Sequence, residues 1–188
     1  MSDQFMREYH SRLTKRSLFG FIYRRYYLYP KIWKRCTGKV LDIGCGIGDF
    51  LRMTPDSVGA DINKYNIEYC KKNNIPAFFF ENNTLPFESN VFDTIVFDNV
   101  LEHIDDYYPI LIESLRVLKK GGFVIVGVPA LDHFFYDYDH KTYHSSQSLE
   151  DSFYLKNIKC KEIFYTPKNK LLRKKFVHSC RWAVYEKI

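Results

Sequence analysis

The sequence lacks the features of membrane-spanning, exported and disulfide-bonded proteins. No apolar run reaches the about 18 residues that a bilayer-crossing helix needs, because Gly127 and Pro129 interrupt the longest one. The N-terminus has no apolar core of a signal peptide. The five cysteines are scattered, odd in number and without a C-x-x-C pair, which disfavours a disulfide framework and a zinc site. These absences predict a cytoplasmic location and reduced thiols.

Length and composition predict a single domain over residues 1–188. A chain of this size buries roughly 70% of its unfolded surface. Its 46% hydrophobic and 27% charged residues are ordinary for a folded protein. Aromatic residues are abundant at 18%, so a core, a pocket or an interface has to hold them.

Charge is unevenly distributed along the chain. Residues 1–38 carry a net charge of +7, residues 39–155 carry −9 and residues 156–188 carry +8. The basic ends indicate either an anionic partner, such as nucleic acid, a phosphorylated substrate or a membrane surface, or ion pairs with the acidic middle in the folded chain. The sequence leaves both interpretations open, and it does not indicate an oligomeric state.

From Val40 onward, short apolar runs alternate with amphipathic stretches, which is typical of a parallel sheet with crossover helices. The predicted strands are 40–43, 57–61, 76–80, 92–97 and 123–128, and the predicted helices are 64–72, 105–120 and a short one from about residue 49. A short helix over 149–155 and a hairpin of strands 160–165 and 176–186 are predicted to follow. Upstream, residues 3–35 are expected to be helical, with a break at Pro30.

The strongest motif is V-L-D-I-G-C-G-I-G-D-F over residues 40–50, which places three alternating glycines after the first predicted strand. Such glycines let the backbone pass close to a ligand at the carboxyl edge of the sheet. A dinucleotide fingerprint would need a glycine at the position of Asp49, and the Gly-Lys-Ser/Thr of a P-loop is absent. The spacing D-x-G-x-G-x-G therefore favours a nucleoside without phosphates.

A second signal is Asp61, which ends the second predicted strand, 19 residues after Asp42. A carboxylate at that place can accept hydrogen bonds from both hydroxyls of a ribose. Alternatively, Asp61 caps the next helix, although Asn63 is an equally suitable cap.

Two further segments follow in order, E-N-N-T-L-P-F-E-S-N-V-F-D over 81–93 and F-D-N-V-L-E-H over 97–103. With the glycine motif and Asp61, they make residues 38–130 resemble the class I S-adenosylmethionine-dependent methyltransferases, most closely the subgroup similar to ubiquinone-biosynthesis enzymes. The resemblance implies an α/β, Rossmann-like fold: a seven-stranded, mostly parallel sheet with a reversed last strand and helices on both faces. Residues 1–37 would add a helical cap, and residues 131–188 an acceptor-side loop and the terminal hairpin.

The resemblance also implies S-adenosylmethionine as the cofactor, S-adenosylhomocysteine as the product, and roles for matching positions. The methionine portion would lie along the glycine motif, the ribose on Asp61, and the adenine between Ile62 and the residues that follow the third strand. The implied cofactor-binding residues are Asp42, Gly44, Cys45, Gly46, Asp61, Ile62, Glu81, Asn82, Asp98 and Asn99. Glu81 stands where the family usually has the shorter Asp.

Methyl transfer to a hydroxyl or a protonated amine requires removal of a proton, and histidine is the natural receiver near neutral pH. His103 belongs to the L-E-H segment that the family places beside the transferred methyl; its alternative role is to support the start of a helix. His140 lies in the Asp-, His- and Tyr-rich loop over 129–144, where the family builds its acceptor pocket. His103 and His140 are therefore the predicted catalytic residues. The spacing of this loop fits no metal pattern, so no metal is predicted.

The predicted reaction is methyl transfer to a hydroxyl or amine of a small polar or anionic molecule, for example a sugar or a lipid-linked intermediate. No D/N-P-P-Y tetrapeptide or suitably placed Pro-Cys pair indicates methylation of adenine, glutamine or C5 of cytosine. Two alternatives stay open: a nucleic-acid methyltransferase that grips phosphates with its basic ends, and a non-catalytic cofactor-binding protein that acts through partners. The phosphate-gripping residues of the first alternative would be Arg24, Arg25, Lys31, Lys34, Arg35, Lys168, Lys170, Arg173, Lys174 and Lys175.

Overall fold

The computed structural model describes residues 2–135, 137–145, 148–151, 157–167 and 179–188. Within them, one sheet is formed by β1 (Val40–Ile43), β2 (Ser57–Asp61), β3 (Ala77–Phe79), β4 (Phe92–Asp98), β5 (Leu118–Pro129), β6 (Ile158–Thr166) and β7 (Cys180–Lys187). The strand order is β3-β2-β1-β4-β5-β7-β6. Strands β1 to β5 pair in parallel, and β7 runs antiparallel to both β5 and β6. The predicted seven-stranded sheet with a reversed last strand is confirmed.

Helices precede the sheet and connect its strands. They are α1 (Asp3–Thr14), α2 (Leu18–Tyr23), α3 (Tyr29–Trp33), α4 (Lys64–Lys72), α5 (Tyr108–Val117) and α6 (Leu131–Phe134). Single turns of 3₁₀ helix at Leu51–Met53 and Leu101–His103 follow β1 and β4. No helix among the described residues combines the length and the apolar character that crossing a membrane requires.

The sheet is buried on both faces, as the alternation of side chains along its strands shows. Leu41 and Ile43 of β1 belong to one apolar cluster with Ile110 of α5. Val40, which points to the opposite face, belongs to a second cluster with Ile32 of α3. Because both faces are covered, the central strands carry nearly continuous apolar runs, as expected of parallel strands.

The N-terminal helical region is interrupted at a different place from the predicted one. The break lies between α1 and α2, where the Ser17 hydroxyl accepts a hydrogen bond from the amide of Gly20 at 3.1 Å and caps α2. The helical course then continues to Trp33 through a π-helical turn over Arg24–Leu28. Pro30 stands in the first turn of α3, immediately after the π-helical turn, where its missing N–H breaks less of the hydrogen-bond ladder. The predicted break at Pro30 is therefore wrong.

Helix α5 is shorter than the predicted helix over 105–120. It begins at Tyr108 and ends at Val117, because Leu118 already belongs to β5, where it pairs with Phe92. The carbonyls at the end of α5 receive a charged donor from the last strand: the Lys187 ammonium donates to the carbonyl oxygens of Leu115 at 2.8 Å and Leu118 at 2.7 Å. A contact that spans about 70 residues of chain cannot be seen in local periodicity.

Two further predictions need correction: β5 begins at Leu118, five residues before its predicted start, and the short helix expected from about residue 49 is only the 3₁₀ turn Leu51–Met53. Most other elements agree with their predicted bounds. Strands β1 and β2 and helix α4 begin and end at the predicted residues, and β6 and β7 form the predicted terminal hairpin. Of the predicted helix over 149–155, residues 149–151 are helical. The rest of that helix, the basic loop over 168–175 and the predicted strand start at 176–178 lie outside the described residues.

Replacing Lys187 with Met should lower the free energy of unfolding by about 1.5–3 kcal/mol, the range for hydrogen bonds made by a charged group. Met retains the apolar stem, so the loss isolates the two hydrogen bonds to the end of α5. Urea denaturation measures the change, and Lys120→Met, at an exposed position of β5, is the matched control. Equal destabilisation by the two variants would contradict this role of Lys187.

Candidate functional site

A cavity of about 1080 Å³ opens at the carboxyl ends of β1, β2 and β4, the edge at which parallel sheets bind ligands. The glycine motif forms its floor, and α1, α2 and the segment over 137–141 form its other walls. Ten of the predicted site residues line it: Asp42, Gly44, Cys45, Gly46, Asp61, Ile62, Asp98, Asn99, His103 and His140. Glu81 and Asn82 are exposed and outside the lining, whereas their neighbours Phe80 and Asn83 belong to it.

The glycine motif folds back on the end of β2. Gly44 has a φ of +76°, and a Cβ at this position would lie 2.5 Å from Cγ2 of Val100. Its amide donates to the carbonyl of Ala60 at 2.7 Å, and the amide of Gly46 donates to Oδ2 of Asp61 at 2.7 Å. A side chain at Gly44 would therefore meet both backbone strain and a packed neighbour.

Asp61 is almost fully buried and organises this end of the cavity. Its Oδ1 accepts a hydrogen bond from the amide of Asn63 at 2.7 Å, while its Oδ2 holds Gly46. Burial raises the pKa of Asp61, and the two amide donors oppose that rise. Asn63 itself caps α4 by accepting from the amide of Tyr65 at 3.0 Å. The helix cap is thus Asn63, and Asp61 belongs to the cavity lining, where its carboxylate can also accept from a ligand.

Asp42 and Asp98 are two further carboxylates of the cavity wall, and they lie near enough for the charge of Asp98 to act on Asp42. Asp42 is 3% exposed, and among the described residues its Oδ1 has no hydrogen-bond partner. Burial, followed by the charges of Asp98 and Asp61, raises the pKa of Asp42 well above its ordinary value. Asp98 accepts from Nη1 of Arg24 at 3.1 Å. The orphaned oxygen of Asp42 is therefore available for a hydrogen bond to a bound molecule.

Three arginines connect the N-terminal region to the rim of the cavity. The sequence marked only Arg24 among them, and as a phosphate-binding residue. Arg16 pairs with Asp49 at 2.5 Å, Arg24 pairs with Asp98, and Arg12 pairs with Asp139. The sequence signal that could have predicted these ion pairs was the opposite net charge of the N-terminal segment and the middle of the chain. The ion pairs support the interpretation that these two segments attract each other.

His103 and His140 also line the cavity, and their ring centroids lie 4.9 Å apart. Nδ1 of His103 lies 3.3 Å from the carbonyl oxygen of Asp139, and Nδ1 of His140 lies 2.6 Å from that of Phe134. Burial, and secondly His140, lowers the pKa of His103. His103 is therefore neutral at pH 7 and can accept a proton.

Tyr9 and Glu102 stand beside this pair and were missed by the sequence interpretation. The ring of Tyr9 meets the edge of His103 at a centroid distance of 6.2 Å, and burial raises the pKa of Tyr9 to about 12. Glu102 is fully buried, and burial raises its pKa well above its ordinary value. The L-E-H segment contained the signal for Glu102, since a carboxylate seldom lies in an apolar stretch without a partner.

Carboxylates outnumber cations around the cavity. Among the described residues, eight aspartates line it, against four Arg or Lys side chains. Each of these cations already pairs with an aspartate, the fourth pair being Lys141 with Asp105 at 2.5 Å. The cavity therefore presents a surplus of negative charge to a bound ligand.

The basic residues considered for phosphate binding are only partly described. Arg24 is engaged with Asp98 inside the cavity wall, and Arg35 pairs with Glu162 at 2.5 Å. The residues over 168–175 lie outside the described ranges. Two of the five N-terminal candidates are thus held by carboxylates.

Comparison with known proteins gives a consistent family. Residues 41–126 match the family described as methyltransferase domain. The ubiquinone/menaquinone biosynthesis C-methyltransferase of Desulfotalea psychrophila is 34% identical over 95 residues, which cover 45% of this chain and 39% of that protein. The chain spans about half the length, or less, of the curated relatives it matches.

Solved structures share the fold over nearly the whole chain. A chain of the Haloferax volcanii complex between the Trm112 methyltransferase activator and a putative methyltransferase matches with a TM-score of 0.77 and 15% identity, covering 100% of this chain and 99% of that one. A Thermotoga maritima protein described as a S-adenosylmethionine-dependent methyltransferase, possible histamine N-methyltransferase, matches with a TM-score of 0.72 and 19% identity, covering 99% and 98%. At these identities the likeness shows the fold alone.

Gly44→Ala should weaken S-adenosylhomocysteine binding, because the methyl group would push Val100 and the glycine motif apart. Its matched control is Gly121→Ala, where φ is +75° but no atom lies within 4 Å of the added Cβ. Both variants should lose about 1–2 kcal/mol of unfolding free energy from the left-handed backbone. Only Gly44→Ala should lose about 1–3 kcal/mol more through overpacking. Calorimetric titration and urea denaturation measure the two effects; equal losses in both variants would contradict the prediction.

Proposed function

Since the chain belongs to the class I methyltransferases of the ubiquinone-biosynthesis-like type, through its methyltransferase domain over residues 41–126, we propose that it transfers a methyl group from S-adenosylmethionine to a hydroxyl or amine of a small polar molecule. The proposed unit is a single domain over residues 1–188. Residues 1–37 cap the cavity, 38–130 bind the cofactor, and 131–188 contribute the acceptor side and the terminal hairpin.

The observation that carries the proposal is one cavity lined by two chemically different groups of residues. One group is the glycine motif with Asp61, and the other is the pair His103 and His140. Sites for a single ligand usually enclose about 300–1,000 Å³, and this cavity of about 1080 Å³ is large enough for a cofactor and an acceptor together. Methyl transfer needs this arrangement, because donor and acceptor must be aligned away from water.

The cofactor end fits a nucleoside joined to an amino acid. The carboxylate of Asp61 in the cavity lining suits ribose hydroxyls, and the orphaned Oδ1 of Asp42 suits the ammonium of a methionine portion. Gly44 and Gly46 keep the floor free of side chains, and Ile62 offers an apolar surface for adenine. The further proposed contacts are Cys45, Asp98 and Asn99, with Glu81 and Asn82 as proposed contacts at the rim.

When bound, S-adenosylmethionine supplies an electrophilic methyl group on a sulfonium, and the chain supplies orientation and proton removal. We place the acceptor between the methyl group and the two histidines. Neutral His103 takes the proton of a hydroxyl or an ammonium as the acceptor is methylated, and His140 beside it is the second candidate base. The arginine pairs of the cap keep water out.

The charge of the cavity favours a neutral or cationic acceptor. Eight aspartates against four paired cations repel phosphates and carboxylates, so the anionic acceptors considered from the sequence are less well supported. The same excess argues against a polyphosphate chain in this cavity, and a nucleic-acid substrate is therefore not favoured.

An acceptor panel tests the proposed function. With hydroxyl and amine compounds of matched size, release of S-adenosylhomocysteine should show kcat/KM at least about tenfold higher for neutral or cationic acceptors than for anionic ones, a difference of about 1.4 kcal/mol. A preference for anionic acceptors would overturn the charge argument. Tight cofactor binding by calorimetry without turnover of any acceptor would instead support a non-catalytic cofactor-binding protein.

His103→Ala and His140→Ala separate the two candidate bases. Loss of the true base should lower kcat roughly 10²–10⁴-fold and leave cofactor affinity nearly unchanged. Since the folded-state pKa of His103 lies below its ordinary value, the wild-type kcat should level off at neutral pH and fall only as the pH drops below that lowered pKa.

The matched control is His10→Ala, which removes an imidazole that bonds Asn66 on α4 at 2.9 Å and does not line the cavity. If His103→Ala lowers the melting temperature but not kcat, His103 supports the 3₁₀ turn after β4. Full turnover in both cavity variants would mean that neither histidine removes the proton.

A further inference from the structure

Glu102, His103 and His140 bring three potential metal-ligand atoms together, although 37 residues separate the two histidines. One ligand atom from each residue lies within 4.8 Å of the other two. Glu102 and His103 come from the 3₁₀ turn after β4, and His140 comes from the segment after α6. The cluster therefore depends on the fold and follows no local ligand spacing, which is why the sequence predicted no metal.

Both imidazoles are already oriented by the backbone. Nδ1 of His103 faces the carbonyl of Asp139, and Nδ1 of His140 faces that of Phe134. A carbonyl can only accept, so each Nδ1 carries its ring's proton and each Nε2 keeps a lone pair. Metal-binding histidines show this arrangement: one nitrogen donates to an outer acceptor, and the other binds the ion.

Glu102 provides the second, independent indication of a ligand. Its side chain is fully buried, and among the described residues neither carboxylate oxygen has a hydrogen-bond partner. A buried carboxylate without a partner is costly, and proteins resolve that cost by keeping the group protonated, by pairing it or by coordinating a metal. No Lys or Arg is paired with Glu102 among the described residues, so a cation from solution is the partner that its ionised form can take.

We infer that Glu102, His103 and His140 form a binding site for a divalent transition-metal ion, with Zn²⁺ as the best-matched probe. Two imidazoles and one carboxylate are the ligand set of open, three-ligand zinc sites, which keep a position for water or substrate. His103 and His140 line the cavity, so that position faces the acceptor end. The excess of aspartates around the cavity attracts such a cation.

The consequence for catalysis rests on the proposed function. A hydroxyl acceptor at the open position of the ion would lose its proton at a lower pH than in water. The two histidines would then act through the ion, because their free lone pairs bind it, and a free imidazole would not be the base in the metal-bound state.

Zinc titration of the chelator-treated full chain tests the site directly. Isothermal calorimetry should show one Zn²⁺ per chain, and His140→Ala and Glu102→Gln should each weaken binding by at least about tenfold. Glu102→Gln retains the side-chain volume, and circular dichroism checks that both variants remain folded. Wild-type affinity should also fall as the pH drops below the lowered pKa of His103, because protons then compete with the ion for its imidazole.

The matched control, His10→Gln, should bind Zn²⁺ like the wild type. Equal affinity in all variants would place the ion elsewhere, for example on the cysteines, and would overturn the inference, as would the absence of stoichiometric binding. S-adenosylhomocysteine affinity is measured on the same preparations. Failed zinc binding with intact S-adenosylhomocysteine binding refutes only the metal site, whereas loss of S-adenosylhomocysteine binding from the wild type would count against the proposed function.

Discussion

The carboxylate of Asp61 is the contact on which the rest of the cavity depends. One oxygen holds the amide of Gly46 in the glycine motif, and the other holds the amide of Asn63 at the start of α4. The side-chain amide of Asn63 in turn donates to the carbonyl of Met6 in α1 at 2.8 Å. A single buried acid thus sets the positions of the floor, the following helix and the cap. Its burial is tolerable because two backbone donors compensate for the lost water.

The second constraint is electrostatic. Arg12, Arg16 and Arg24 bring α1, the turn after it and the π-helical turn after α2 onto a cavity rich in aspartates, so the cap is attracted to the core by charge as well as by apolar contact. Arg24 and Asp98 are both largely shielded from solvent, which makes their attraction less sensitive to salt than that of an exposed pair. The uneven charge along the chain is therefore resolved internally for part of the N-terminal segment. It is not evidence of an anionic partner there.

The sheet and the cofactor end were predictable because their signals are local. Val40–Ile43 and Ser57–Asp61 are short apolar strands whose carboxyl ends line the cavity, so one segment specifies both the strand and its contribution to the cavity. The end of α5 and the course of the chain at Pro30 were not predictable. The end of α5 depends on Lys187, which is distant in sequence, and the course at Pro30 depends on the hydrogen-bond geometry of the π-helical turn. Hydrophobic periodicity reports neither.

The acceptor end was only half predictable, for a related reason. His103 and His140 stand out in the sequence by residue type, but their shared orientation arises from the carbonyls of Asp139 and Phe134, which carry no side-chain signal. In the sequence, Glu102 is only one polar residue of an L-E-H segment. The structure adds that it is buried and that its carboxylate oxygens have no hydrogen-bond partner among the described residues. A cofactor site binds the same ligand throughout a family, so its residues can follow the ends of consecutive strands. An acceptor end assembled from separate segments can change its ligand by altering any one of them, so the identity of the acceptor lies in tertiary contacts and not in a motif.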